Sequence, residues 1–507
     1  MHRLIRDALL WHRPGGWRRS AVSTVAIIAA TFVLARGAWS VDGATLTDGH
    51  AMLSLDMAVA RAYCGVPSSF SWTVRIPIDL SKRMERRHEP LRALIVEKAG
   101  SIDAYCRSID TPFVNSENSL MVVETAILRV MPGASLANVG QVLFLIKVGC
   151  LAMFVLLLMD LGASLALGLA TFLCGLMLLQ AMPDHVYSNY PFFFVLVLAA
   201  MAMHGFAAAY RWTSSAVGLT IYGVAAGIAS AFIANMRTSY LPVVGLFMAM
   251  ALVDEGRQRG RAIRWPTRAV RSAALAGCFL GGYLAFQVGM ITSQLPAEGR
   301  FDAAHPFAHP LVLALAVPEN PLSRELGIEW KDATGARIAD GVDPGVPYLG
   351  PRYNAALLRY YASLWRTRAS DMAAVYYFKF SVSGVDMFRA LRASPGWAGW
   401  GVMVLLSPLS LLPSGVWLLA LYSLTTIGAF AAYYRRGWPA AFALGLLSLA
   451  ACLVQVESGM IFSLFVKQYH NYAAFYALFV SLLGVQALGN AGWAWLSRPQ
   501  AGQVAPR

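Results

Sequence analysis

Hydrophobic positions in this chain cluster in runs long enough to cross a bilayer, and polar positions cluster between them. A span needs about 20 mostly apolar residues to match a hydrocarbon core of about 30 Å. By that measure eleven runs stand out: 21–39, 139–159, 164–182, 191–209, 216–234, 238–253, 271–291, 397–412, 416–434, 438–456 and 470–489. The pattern predicts an all-α polytopic membrane protein of about eleven transmembrane helices. A short N-terminal stretch (1–20) precedes the first span, and 490–507 form a tail. Spans two to seven occupy 139–291, and the C-terminal spans occupy 397–489. Two connections are far longer than the rest, 40–138 and 292–396.

Loops of that length need helices of their own. After Glu117, the apolar residues Leu120, Val123, Ile127 and Val130 recur at helical spacing, with Glu124 and Arg129 turned elsewhere. Pro132 and Gly133 end the pattern, so a short amphipathic helix is expected, lying flat on the membrane surface. The stretch 353–368 mixes Tyr and Trp with Arg359, Arg366 and Arg368, a composition suited to the headgroup layer.

Composition supports the membrane assignment: 57% of residues are hydrophobic and only 13% charged, against about a quarter charged in soluble proteins. The 41 basic and 27 acidic residues leave a net charge of +14. A nucleic-acid partner is not implied, because the basic residues bunch in short connections, as topology determinants do. Arg3, Arg6, Arg13, Arg18 and Arg19 precede the first run, and Arg257, Arg259, Arg261, Arg264, Arg268 and Arg271 crowd one connection. With the N-terminus cytoplasmic and the first run an uncleaved signal anchor, both long loops fall outside. Eleven crossings then put Arg435 and Arg436 outside as well, against the positive-inside tendency. Pro408 and Pro413 raise the alternative that 397–412 is re-entrant. Of the six cysteines, Cys64 and Cys106 share the first long loop. An oxidising compartment would allow them to pair, the alternative being two unrelated thiols.

Neither a phosphate-binding loop, a zinc helix motif nor a nucleophile elbow occurs in the sequence. Chemistry-bearing residues recur instead at the outer ends of the spans. Asp48-Gly49-His50 follows the first; Asp184, His185, Tyr187 and Tyr190 follow the third; Arg237 lies between the fifth and sixth. The second long loop supplies His305, His309, Glu329, Asp332, Arg352, Arg359 and Lys379. Lys467, Tyr469, His470 and Tyr472 border the last run. Cations on outer connections suit an anionic headgroup. The distribution describes an outward-open cavity holding a lipid-borne substrate, such as a polyprenyl phosphate carrying a sugar. Its phosphate needs Lys or Arg as negative charge develops, and an acceptor hydroxyl needs a carboxylate as base.

The matching segments are Asp48-Gly49-His50 followed by Met52 and Leu53, the Asn115-Ser116-Glu117-Asn118-Ser119-Leu120 stretch, and the His305-Pro306 to His309-Pro310, Asn320, Gly327-Ile328-Glu329-Trp330 and Asp332 series. With a long loop after span one that carries an acidic residue, a flat helix opening with an acidic motif, and a second long loop after span seven, the chain resembles the GT-C glycosyltransferase superfamily. Its architecture is similar to that of the protein O-mannosyltransferases and the lipid A aminoarabinose transferases. The resemblance implies a polyprenyl-phosphate sugar donor, a glycan, lipid or protein acceptor, surrounding membrane lipids, and an active site on the periplasmic face of a bacterial inner membrane. Asp48 would be the catalytic base, and Arg237 with Lys379 or Lys467 would hold the phosphate. Glu117, Asp184, His185 and Tyr187 would contact sugar or acceptor, with His305, His309, Arg352, Arg359, Tyr469 and His470 as further substrate contacts. Many members carry Asp-Glu or Asp-Asp where this chain has Asp48-Gly49, so no metal is expected and the cofactor is unassigned.

Each residue also has a plainer reading. Asp48 and Glu117 suit helix N-termini, where carboxylates cap. Arg237 and Lys379 suit interface anchoring by snorkelling. Asp56 is the substitute base. Pro306 and Pro310 argue against a helix that would pair His305 with His309 as metal ligands. His204, Lys147 and Glu457 fall in or near spans without evident partners. An O-antigen ligase or polysaccharide polymerase, relying on Arg352 and Arg359, and a lipid or solute transporter are the rival functions.

Overall fold

A computed structural model describes residues 49–65, 85–109, 119–160, 163–181, 189–210, 215–236, 265–294, 308–348, 351–382, 414–436 and 439–462, with a few isolated positions besides. Among them the chain is all-helical, with one isolated bridge between Pro90 and Ser135 and no strand. Four helices are long and apolar enough to cross a membrane, namely Leu136–Asp160, Ala216–Ala234, Ala269–Gly289 and Gly415–Arg435. Shorter apolar helices accompany them at Leu165–Leu176, Phe192–Ala207 and Leu444–Glu457. The expected spans at 21–39, 238–253, 397–412 and 470–489 lie essentially outside the described residues.

The first long loop contributes α1 (Gly49–Cys64), α2 (Leu91–Ala99), α3 (Ile102–Arg107) and α4 (Ser119–Val130). Leu55, Leu94, Ile95, Tyr105, Leu120, Met121 and Leu128 bury themselves among these helices, in one core that continues into the membrane bundle. Cys64 at the end of α1 is joined to Cys106 in α3 by a disulfide, with Cα atoms 5.4 Å apart.

The apolar bundle begins with α5 (Leu136–Asp160), α6 (Leu165–Ala181) and α7 (Asn189–Ala209). At about 1.5 Å per residue, α5 is about 37 Å long, enough for the hydrocarbon core. Gly168 faces Met159 and Gly175 faces Leu151, so α6 runs antiparallel to α5. Along α7 the order is the same as along α5: the Lys147 ammonium sits over the Phe192 ring, Gly205 faces Leu157, and the Tyr210 hydroxyl donates to Asp160. These three helices therefore alternate in direction.

Next come α8 (Ala216–Ala234) and α9 (Trp265–Gln294). Gly223 meets Leu275 and Cys278, and Gly227 meets Phe279 and Tyr283, so the pair is parallel. A Cβ on Gly227 would lie 2.1 Å from the Phe279 carbonyl oxygen, and one on Gly282 would lie 2.4 Å from that of Val224. Backbones this close need small residues at four-residue spacing, the arrangement apolar helices use where lipid offers no hydrophobic drive to associate.

The second long loop folds around its own core of Val312, Leu315, Leu322, Tyr353, Leu357, Leu364 and Met372. Its helices are α10 (Ala308–Leu313), α11 (Pro321–Leu326), α12 (Asp332–Val342), α13 (Pro351–Thr367) and α14 (Ala369–Val382). Asn320 caps α11 by accepting from the Ser323 backbone, and Gly327 ends it at φ 61°, where a Cβ would be strained. The prolines were expected to prevent a helix that pairs His305 with His309; α10 begins only at Ala308 and contains Pro310. Proline sits in its first turn, where the N–H has no intrahelical partner to lose.

A hairpin of α15 (Gly415–Arg436) and α16 (Pro439–Val454) follows, and α16 continues as a π-helix over Gln455–Phe462. Gln455 Nε2 reaches the Gly415 carbonyl at 3.4 Å, fixing the start of α15 beside the end of α16. The π-helix packs on α10 and α14, so that end abuts the second module. Arg435 stands at the far end of α15, away from the module. The eleven-crossing expectation placed Arg435 and Arg436 on the side of the two long loops.

Candidate functional site

Three cross-contacts set α1 against α4. Ser54 donates to Glu124 at 2.8 Å, the Arg129 guanidinium reaches the Arg61 carbonyl at 3.4 Å, and the Tyr63 hydroxyl donates to the Pro132 carbonyl at 3.3 Å. Each step along one helix is matched on the other, so the two run parallel and in step. Their N-terminal turns, beginning at Gly49 and Ser119, are accordingly level. At the same level the Ser119 N–H donates to the carbonyl of Asn235, which caps the C-terminus of α8, at 3.2 Å. In sequence, Asp48 immediately precedes α1, Glu117 lies two residues before Ser119, and Arg237 lies two residues after Asn235. Helix ends far apart in the chain thus meet at the Ser119–Asn235 contact.

Directly beneath this junction is a charged group that sequence reasoning turned the wrong way. Glu124 is fully buried, while Val130, expected on the apolar face, is 81% exposed. The buried face of α4 is Leu120, Met121, Glu124, Thr125, Ile127 and Leu128. The helix is rotated because α1 and α5 enclose it, and they present Ser54 and Lys147 to the carboxyl. Burial pushes the Glu124 pKa up to about 8, opposed by the Ser54 hydrogen bond and the Lys147 charge and reinforced by Asp56. Lys147, for which the sequence shows no evident partner but allows pairing with a neighbouring helix, is fully buried within electrostatic reach of Glu124 and over the Phe192 ring at 5.3 Å. The available signal was an acid two turns into an apolar helix and a lysine inside an apolar span. Nothing local said that they share an interior. His204, likewise without an evident partner in the sequence, is hydrogen-bonded through Nδ1 to the Tyr222 hydroxyl at 2.6 Å.

The candidates of the second loop serve their own module. His309 is buried, with Nδ1 2.6 Å from the Tyr353 hydroxyl and Nε2 3.2 Å from Asp332. Burial lowers its pKa, with Asp332 opposing. A Cβ on Gly335 would intrude within 2.7 Å of that ring, so glycine lets α12 close on it. Arg352 and Arg359 are exposed and both address Asp343, the latter at 3.7 Å. Lys379 does not snorkel: it is fully buried, its ammonium 5.6 Å from the centre of the Tyr376 ring, and burial brings its pKa down to about 7. The partners described here for these four all belong to the second module.

Asp48, Glu117, Asp184, His185, Tyr187, Arg237, His305, Lys467, Tyr469 and His470 lie outside the described residues. Among the described residues, no three His, Cys, Asp or Glu side chains gather closely enough to hold a metal ion. Compared with protein-family models, curated proteins and solved structures, the chain matches none.

Proposed function

We propose that this chain is a membrane glycosyltransferase of the GT-C type. It moves a sugar from a polyprenyl-phosphate donor to a glycan, lipid or protein acceptor on the periplasmic face of a bacterial inner membrane. Asp48 takes the proton of the acceptor hydroxyl as its oxygen bonds to the sugar's anomeric carbon. The bond from that carbon to the phosphate oxygen breaks on the opposite face, inverting the centre, and the phosphate leaves with the electron pair. Arg237 and Lys467 stabilise that charge, while Glu117, Asp184, His185 and Tyr187 orient sugar and acceptor.

The observation that carries this reading is the Ser119–Asn235 contact at the level of the first turn of α1. Asp48, Glu117 and Arg237, a base, a second acid and a cation, lie within one or two residues of these helix ends in sequence, and that proximity supports the reading. Charge asymmetry supports the orientation. Arg211, the arginine-rich connection before α9, and Arg435 all belong to helix ends opposite the two modules, as cytoplasmic ends should. With Gly415 and Gln455 both at the module end, ten crossings satisfy that rule where eleven do not.

The test is transfer in proteoliposomes from polyprenyl-phosphate sugars to envelope acceptors. Asp48→Asn should lose transfer by at least about 100-fold, the usual scale for removing a general base, with unchanged thermal unfolding. Arg237→Ala should lose it too, and Arg352→Ala with Arg359→Ala should retain it. Full activity in Asp48→Asn overturns the assignment. Loss confined to the Arg352/Arg359 variant would favour a ligase or polymerase instead.

A further inference from the structure

Outside the proposed active site, the hairpin of α13 and α14 presents a face that its own module does not cover. On α14 the exposed stripe is Ala373, Ala374, Tyr377 and Phe378, with Tyr377 72% and Phe378 46% exposed. These positions, at i, i+1, i+4 and i+5, share one side of the helix. The opposite side, Met372, Val375 and Lys379, is buried. On α13 the exposed side carries Leu358 and Trp365 together with Arg352, Arg359 and Arg366. Trp365 stacks on Tyr376 with ring planes 11° apart, which fastens the two exposed stripes side by side. Among the described residues the exposed charges of this face are Arg352, Arg359 and Arg366 on α13, with Asp343 answering Arg352 and Arg359, and Asp371 in the first turn of α14, paired with Arg368.

What covers the face follows from where it sits. α14 packs on α15, whose own surface is left open at Trp417, Leu424 and Ile427, 58–70% exposed. Those residues belong to a helix long and apolar enough to cross the bilayer, so their covering is acyl chain. Tyr377, Phe378, Trp365 and Trp417 therefore stand where such a helix meets water, the depth at which aromatic rings gather. The arginines beside them match the phosphate of a phospholipid headgroup.

We propose that the α13–α14 hairpin is a lipid-docking element. Tyr377 and Phe378 enter the boundary between headgroups and acyl chains of the outer leaflet, and Arg359 and Arg366 bind anionic headgroups. This goes beyond the glycosyltransferase reading and does not depend on it; it requires only that α15 crosses the membrane. The docking would hold the second module at a fixed height above the bilayer.

The experiment uses the full-length chain in nanodiscs of phosphatidylcholine with phosphatidylglycerol, with Cys150, Cys174, Cys278 and Cys452 replaced by alanine. Spin labels are placed at Tyr377→Cys and, as a control on the solvent side of the module, Ala333→Cys. Power saturation should show the label at 377 open to oxygen and shielded from an aqueous nickel chelate, with the reverse at 333. Arg359→Glu with Arg366→Glu should raise nickel access at 377 several-fold in the anionic discs. A label at 377 as open to nickel as that at 333 overturns the proposal. So does one shielded from both reagents, which would mean that protein covers the stripe.

Discussion

Glu124 offers the sharpest test of how the first module is built. Its carboxyl has an ordinary pKa of 4.5, raised to about 8 by burial. The native state therefore binds this proton more tightly than the unfolded chain does. As pH rises above about 4.5, the unfolded state gains by ionising and the native state does not. Stability falls by about 1.4 kcal/mol per pH unit until the native carboxyl ionises near pH 8, a loss of roughly 5 kcal/mol at most. Glu124→Gln keeps the size of the side chain, and its amide oxygen still accepts from Ser54, but the variant has nothing to titrate. Thermal unfolding of the detergent-solubilised protein from pH 5 to 9 should show the wild-type midpoint dropping relative to the variant up to about pH 8 and running parallel above it. Ser54→Ala removes the hydrogen bond that favours the ionised form, so it should extend the decline to higher pH. Wild-type and Glu124→Gln curves that stay parallel throughout would refute a buried, protonated Glu124.

The remaining expectations concern other parts of the fold. The Cys64–Cys106 bridge closes a sequence separation of 42 residues, for which loop-closure entropy gives about 4 kcal/mol; Cys64→Ser with Cys106→Ser, or a reductant, should lower the midpoint of thermal unfolding accordingly. Gly227→Val would drive a side chain into the backbone of α9 and should cost at least 1–3 kcal/mol as overpacking, read as loss of monodisperse protein in size-exclusion chromatography. A cysteine replacing Arg435 should react with a membrane-impermeant maleimide only after the vesicles are opened from the cytoplasmic side; labelling from the periplasmic side would reverse the proposed orientation of α15.

Much of the secondary structure was legible in the chain itself. The run at 139–159 became Leu136–Asp160, and that at 216–234 became Ala216–Ala234. A span has to bury its backbone polar groups in its own hydrogen bonds, so apolar length alone determines a helix. The helix after Glu117 was legible for a related reason, since the apolar spacing and the Pro132-Gly133 stop are local. Its rotation was not. Which side of α4 turns inward depends on α1 and α5 enclosing it, and they bring Ser54 and Lys147 to an acid that periodicity assigns to water. His309 was likewise visible as a candidate, but its engagement with Tyr353 and Asp332 arises only when α10, α12 and α13 close together.

By itself, then, the sequence determined that apolar helices are long enough to cross a bilayer, that helices form in the polar stretches between them, and which residue types are available for chemistry. Tertiary structure decided which of those residues belong together. It set α1 and α4 parallel and in step, and it joined the start of α4 to Asn235 at the end of α8. It also turned Lys379 into the interior of its module and set Arg435 at the end opposite the modules. The division is physical. Apolar length and local spacing act through the backbone of one segment, whereas partnership between charges comes from packing helices that are far apart in the chain.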